Sequence, residues 1–248
     1  MTQTSEAVPA QRHEADRTRR TTAVLLTVEG LLIFVPLWVL GAAIGWPASL
    51  DDPAAIVLPR LVEQESAVRF GYLAYLAYSV LFLPVAVWTT RVLTGGADNP
   101  LVRAAIGFAI ASTLARCIGI LRWLVAMPDL AQAYGSAPDE ATRQVLAVQY
   151  DTLNNFGGGI GEVLGVSLFA ALWLLLTLVA AIPAVPAWLR VSGLGAAALL
   201  AVPLLELAGL DVGPLITVGT TALQLWFLAT AVALFRRRYA GTNTPSGW

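Results

Sequence analysis

The sequence predicts an all-α fold, a bundle of six transmembrane helices, and three observations carry that prediction. Six apolar stretches of roughly 20 to 27 residues recur along the chain, and about 20 residues at 1.5 Å rise cross a hydrocarbon core of about 30 Å. Hydrophobic residues make up 57% of the chain and charged residues only 12%, against about 25% charged in soluble domains. The polar and proline-bearing segments fall between the stretches, where they interrupt the hydropathy at intervals suited to short loops.

Residues 1–21 mix Arg12, Arg17, Arg19 and Arg20 with Glu6, Glu14 and Asp16 and lack hydrophobic periodicity, so they read as a disordered cytoplasmic tail. The membrane domain then covers 22–238 and a second tail 239–248. The first apolar run, about 22–44, is too long for the core of a cleaved signal peptide and reads as the first span. Helix two follows at about 70–93, helix three at about 101–127 and helix four at about 156–182. A turn at Pro183 and Pro186 ends helix four; helix five at about 187–209 and helix six at about 212–235 make a tight hairpin.

The two longer loops, 45–69 and 128–155, share one face. Short outer-face helices are expected in them before helices two and four. In the second loop, Ser136 ahead of Pro138, Asp139 and Glu140 suits an N-cap, a first-turn proline and acids at the positive helix end. The helix that starts there either lies on the interface or leads directly into helix four.

Orientation follows from the arginines, because the chain has no lysine. Arg12, Arg17, Arg19, Arg20, Arg91, Arg103, Arg190, Arg236, Arg237 and Arg238 fall on the side of the termini, against Arg60, Arg69 and Arg143 on the other. The excess places both termini in the cytoplasm. Tyr72, Tyr75, Tyr78, Trp46, Trp123 and Tyr134 read as an outer aromatic belt, and Trp88 and Trp188 as an inner one.

The candidate site is a set of charges inside apolar sequence: Arg116 and Arg122 in helix three and Glu162 in helix four. Counted from the outer helix ends at Met127 and Phe156, Arg122 and Glu162 both lie about 8 to 9 Å deep, so an Arg-to-carboxylate pair is expected. Arg116 lies about 9 Å deeper and about 120° around the helix, and needs another partner. Glu29, Gln224, a tyrosine of helix two such as Tyr75 or a backbone carbonyl can serve, and Glu206, three residues from the outer end of helix five, can join the outer group or reach interfacial water. Gly157, Gly161 and Gly165 recur every four residues on one face of helix four, which lets a neighbouring helix come close.

Two readings of the cluster stand side by side. Either it locks helices three and four together, or it holds an anionic lipid headgroup or small metabolite, for which guanidinium forks are suited. Enzyme chemistry has little support. The single His13 is in the tail and the single Cys117 in a span, so neither a metal centre nor a serine hydrolase base is available, and no cofactor is expected. Only acid–base chemistry on a glutamate survives. A transporter would call for inverted repeats or paired broken helices, which the spans lack. The net charge of −1 excludes a generally basic nucleic-acid binder. The expected partners are the bilayer itself, an anionic lipid or small metabolite, or another membrane protein.

The runs Arg69-Phe70-Gly71, Arg116 with Arg122-Trp123, Asn155 to Gly165 around Glu162, and Pro186-Ala187-Trp188-Leu189-Arg190 with Gly193 resemble the bacterial multipass membrane family catalogued as domain of unknown function four-three-eight-six. The resemblance covers roughly residues 22–235. It implies a six-helix architecture in a bacterial cytoplasmic (inner) membrane and brings no assigned activity or catalytic residues.

Overall fold

Prolines and glycines decide where each apolar run bends, and a computed structural model shows the result for residues 7–182, 184–210, 212 and 215–240. All regular structure among them is helical. Helix α1 (Ala7–Leu32) is followed at Ile33 by a break and then α2 (Phe34–Ile44), and together they form the first span. Pro36 has no N–H to offer the Leu32 carbonyl, and the ladder resumes with Leu37 N donating to Ile33 O at 3.2 Å. Residues 7–21, expected to be disordered, are helical instead. Their Ala, Gln, Glu and Arg content favours a helix, and Arg19 pairs with Asp16 at 2.7 Å on one face. Residues 1–6 of that tail and residues 241–248 of the other lie outside the described residues.

Gly45, at φ 77°, ends α2, with its N–H on Gly41 O and the Trp46 N–H on Leu40 O. A 3-10 turn at Ala48–Asp51 leads to the short α3 (Ala54–Glu63), which breaks only at Gln64 before α4 (Glu65–Leu93), the second span. The expected short helix ahead of helix two is therefore present, and it packs on the far end of the third span.

The third span is α5 (Pro100–Leu121), a π-helical turn (Arg122–Ala126) and α6 (Met127–Gly135). Asn99 caps it by accepting from Val102 N at 3.0 Å. Sequence alone ends this helix near Met127, but it continues to Gly135 because Pro128 falls in the first turn of α6, where its missing N–H costs little.

The fourth span joins α7 (Glu140–Gly158), a π-helical stretch (Gly159–Ala170) and α8 (Ala171–Ala180). Of the two alternatives for the loop helix, it leads directly into helix four. The cap is Asp139 rather than Ser136: Asp139 accepts from Thr142 N at 2.8 Å. Ser136 instead donates back to Gln132 O at 2.9 Å and closes α6.

The fifth span runs through α9 (Ala187–Ala201) into a 3-10 segment (Val202–Ala208), where Pro203 prevents a regular α-helical ending, and stops at Gly209 with φ 80°. The sixth is α10 (Leu215–Ala240), which begins three residues later than expected and runs past residue 235; Asp211, Gly213 and Pro214 of the connection lie outside the described residues.

Each span packs against its neighbour in sequence, and α1 closes the ring against α10. The interior divides into two apolar clusters. At the end of the bundle that carries the termini, Leu26, Phe82, Trp173, Leu178 and Phe227 pack together. At the opposite end Leu40, Leu58, Tyr72, Trp123, Met127 and Tyr150 do the same. Tyr72, Tyr78 and Trp123, expected in an interfacial belt, are buried. Tyr72 stacks on Trp123 with centroids 5.1 Å apart, so these rings serve the core instead. The polar candidates lie where the two clusters meet.

Candidate functional site

The glycine face of the fourth span sets the geometry of the whole site. Gly161 faces Gly119 of α5, and a methyl group built on Gly119 would stand 2.7 Å from Gly161 Cα and 2.9 Å from Gly157 O. Backbone therefore meets backbone at this crossing. On either side of it an arginine stem uses the space that a glycine leaves: Arg122 runs across Gly157, and Arg116 across Gly165, whose missing Cβ would fall 2.9 Å from Arg116 Cγ. Ser112 secures the same crossing by donating to Gly165 O at 2.7 Å. Small residues thus do more here than permit helix packing, because they also make the channels that carry two cationic side chains through the interior.

Both terminal nitrogens of Arg122 find acceptors, while its Nε is buried without one among the described residues. Nη1 donates to Gly119 O at 3.1 Å, Nη2 donates to Asn154 Oδ1 at 3.3 Å, and Nη2 lies 3.5 Å from Glu162 Oε1. The guanidinium also lies 5.4 Å from the Trp123 ring centroid. Asn154 in turn donates through Nδ2 to Leu50 O at 2.7 Å. One amide therefore connects the buried cation to the loop ahead of α3. Tyr150, one helical turn earlier, donates to Asp52 O at 3.4 Å in the same loop.

Glu162 is 36% exposed while Arg122 is 7% exposed, so the pair is buried on one side only. Beside it a cavity of ≈ 20 Å³ is lined by Trp46, Tyr72, Tyr75, Arg116, Arg122 and Glu162, among others. That is room for about one water molecule. Tyr75 stands in its wall, between Trp46 at 5.3 Å and Tyr78 at 6.0 Å. Glu206, in the 3-10 segment of the fifth span, is half-buried and close enough to act on Glu162 as a like charge.

Arg116 belongs to a second group nearer the termini. Its guanidinium lies over the rings of Tyr78 and Phe82 at 4.7 and 4.9 Å. Gln224 of α10 donates to Tyr78 Oη at 2.6 Å. Glu29 of α1 is fully enclosed, and Arg116 is the charged group that acts on it. The candidates thus separate into an Arg122–Glu162 group and an Arg116–Gln224–Glu29 group, joined by the small cavity.

Asn154, Gly119 and Ser112 escape sequence reasoning, whereas Tyr78 is one of the helix-two tyrosines expected to partner Arg116. Gly119 carries a signal: Ser112, Ala115 and Gly119 recur at i, i+3 and i+7, so a small face on α5 opposes the one on helix four. Asn154 sits in polar sequence and gives none. Among the described residues no three His, Cys, Asp or Glu side chains gather in a way that could hold a metal ion.

Among the described residues, six helices long and apolar enough to cross a membrane, closed in a ring around buried charge, define a multi-pass integral membrane protein. Residues 22–234 match the model of the family described as Domain of unknown function (DUF4386), and the chain belongs to that family. No curated protein and no solved structure matches it.

Proposed function

We propose that the chain is a non-enzymatic accessory component of the bacterial cytoplasmic membrane, with both termini in the cytoplasm, whose Arg122–Glu162–Asn154 cluster locks the bundle in one arrangement. The observation that carries this reading is the acceptor set of Arg122: a backbone carbonyl, an amide oxygen and a carboxylate already occupy it. A free ligand would have to displace one of them, and the adjoining cavity of ≈ 20 Å³ has no room for a headgroup. Locking three segments, the third span, the fourth span and the 45–53 loop, suits a protein that offers a fixed surface to another membrane protein. The arginine distribution supports the orientation.

Binding of an anionic lipid headgroup or small metabolite at the same cluster is the second reading, favoured by the 36% exposure of Glu162 next to two guanidiniums. Glu162→Gln separates the two. Under the lock, the variant loses thermal stability in detergent and the wild type carries no ligand in native mass spectrometry. Under the binding reading, the wild type carries a copurifying anionic molecule that the variant loses while its stability is unchanged.

A further inference from the structure

The Arg116 group has a feature that a lock does not account for. Glu29 is 0% exposed, and neither carboxyl oxygen meets a hydrogen-bond donor among the described residues. Gln224 Oε1 is likewise buried without a partner. An enclosed carboxylate at membrane depth is costly unless paired, and such residues commonly mark ion or proton pathways.

Arg116 is within electrostatic range of Glu29 but does not clasp it, because its guanidinium rests on the faces of Tyr78 and Phe82. Ring faces stabilise a cation whatever the charge on a neighbouring carboxyl. Glu29 can therefore change charge without leaving Arg116 unsupported. The Tyr78 hydroxyl accepts from Gln224, which leaves its own proton available to donate. Access is one-sided. Arg116 and the partly exposed Glu162 line the same cavity, whereas Leu26, Phe82, Trp173 and Phe227 close the end that carries the termini.

We propose that Glu29 is a proton-binding site served from the end of the bundle opposite the termini, by way of the cavity beside Glu162 and the Arg116–Tyr78–Gln224 group. In the binding step a hydronium ion in the cavity becomes water, an O–H bond forms on one Glu29 oxygen, and the carboxylate goes from −1 to neutral. Release is the reverse. Among the described residues, Arg116 from α5 is the charged group that acts on Glu29 and Tyr78 from α4 lies within its electrostatic range, while Gln224 of α10 joins them through its hydrogen bond to Tyr78. The proposal goes beyond the locking role and does not depend on it.

Infrared difference spectroscopy of the purified full chain across a pH titration tests this, with Glu29→Gln, Glu162→Gln and Tyr78→Phe as variants. The expected result is a carboxylic C=O signal that titrates in the wild type, is absent from Glu29→Gln, and persists in Glu162→Gln and Tyr78→Phe. A wild-type spectrum with no titrating carboxyl signal overturns the proposal even if Glu29→Gln fails to fold. So does a signal that survives in a folded Glu29→Gln.

Discussion

Gly119 and Gly161 put two helix backbones in direct contact: an added Cβ on Gly119 would lie 2.7 Å from Gly161 Cα, a clash with backbone that no side-chain rotation relieves. The substitution Gly119→Ala should therefore force the third and fourth spans apart, at about 1 to 3 kcal/mol. Gly107 and Gly195 have nothing within 4 Å of the same position, so alanine there should leave stability unchanged or slightly improved. Thermal unfolding in detergent decides this, and equal effects at all three sites would contradict the crossing.

Asn154 bridges Arg122 and Leu50 O. Asn154→Ala leaves a buried guanidinium N–H and a loop carbonyl without their partner, which should cost about 1 to 3 kcal/mol. The distinctive readout is local. Hydrogen–deuterium exchange should rise in residues 45–53 and not in α9, whereas a change spread evenly over all helices would mean that Asn154 has no special hold on the loop.

At the end of the bundle that carries the termini, Trp173 Nε1 donates to Thr90 Oγ1 at 3.0 Å, and Thr90 shares a hydrogen bond with Thr177 at 2.9 Å. Thr90 is the centre of the group. Thr90→Val should cost about 1 to 3 kcal/mol because two buried partners are left unsatisfied, and Thr177→Val about 1 kcal/mol because Thr90 keeps Trp173. The order of the two melting temperatures is the test, and Thr177→Val melting lower than Thr90→Val would reverse the assignment.

Asp139 offers a pH dependence outside the spans. The Thr142 backbone N–H and hydroxyl hold its carboxyl below the ordinary carboxylate range. A carboxyl lowered in the folded state adds stability that is fully present above its unfolded value of about 3.9 and is lost as pH falls through the folded value. Amide protection factors at 140–143 should therefore stay constant from neutral pH down to about 4 and fall below it. Asp139→Ala should show the low protection at every pH, and an unchanged pH profile in that variant would exclude the cap.

Sequence alone determined the membrane class, the number of spans and the approximate depth at which Arg122 and Glu162 could meet, because hydropathy over about 20 residues and a fixed rise per residue are local properties. It could not determine how far each helix runs. The Asp139 cap, the break at Ile33 and the passage through Pro128 depend on single hydrogen bonds competing at helix ends.

Only the tertiary structure decided which partner each buried charge takes. The depths of Arg116 and Arg122 follow from counting residues, but their separation into two groups depends on how the third span sits against its neighbours. Gly157, Gly161 and Gly165 let α5 come close enough for Arg122 to reach Asn154, while Arg116 is turned onto Tyr78 and Phe82. Glu29 comes from the first span and Gln224 from the sixth, and only closure of the ring between α1 and α10 brings them into the Arg116 group.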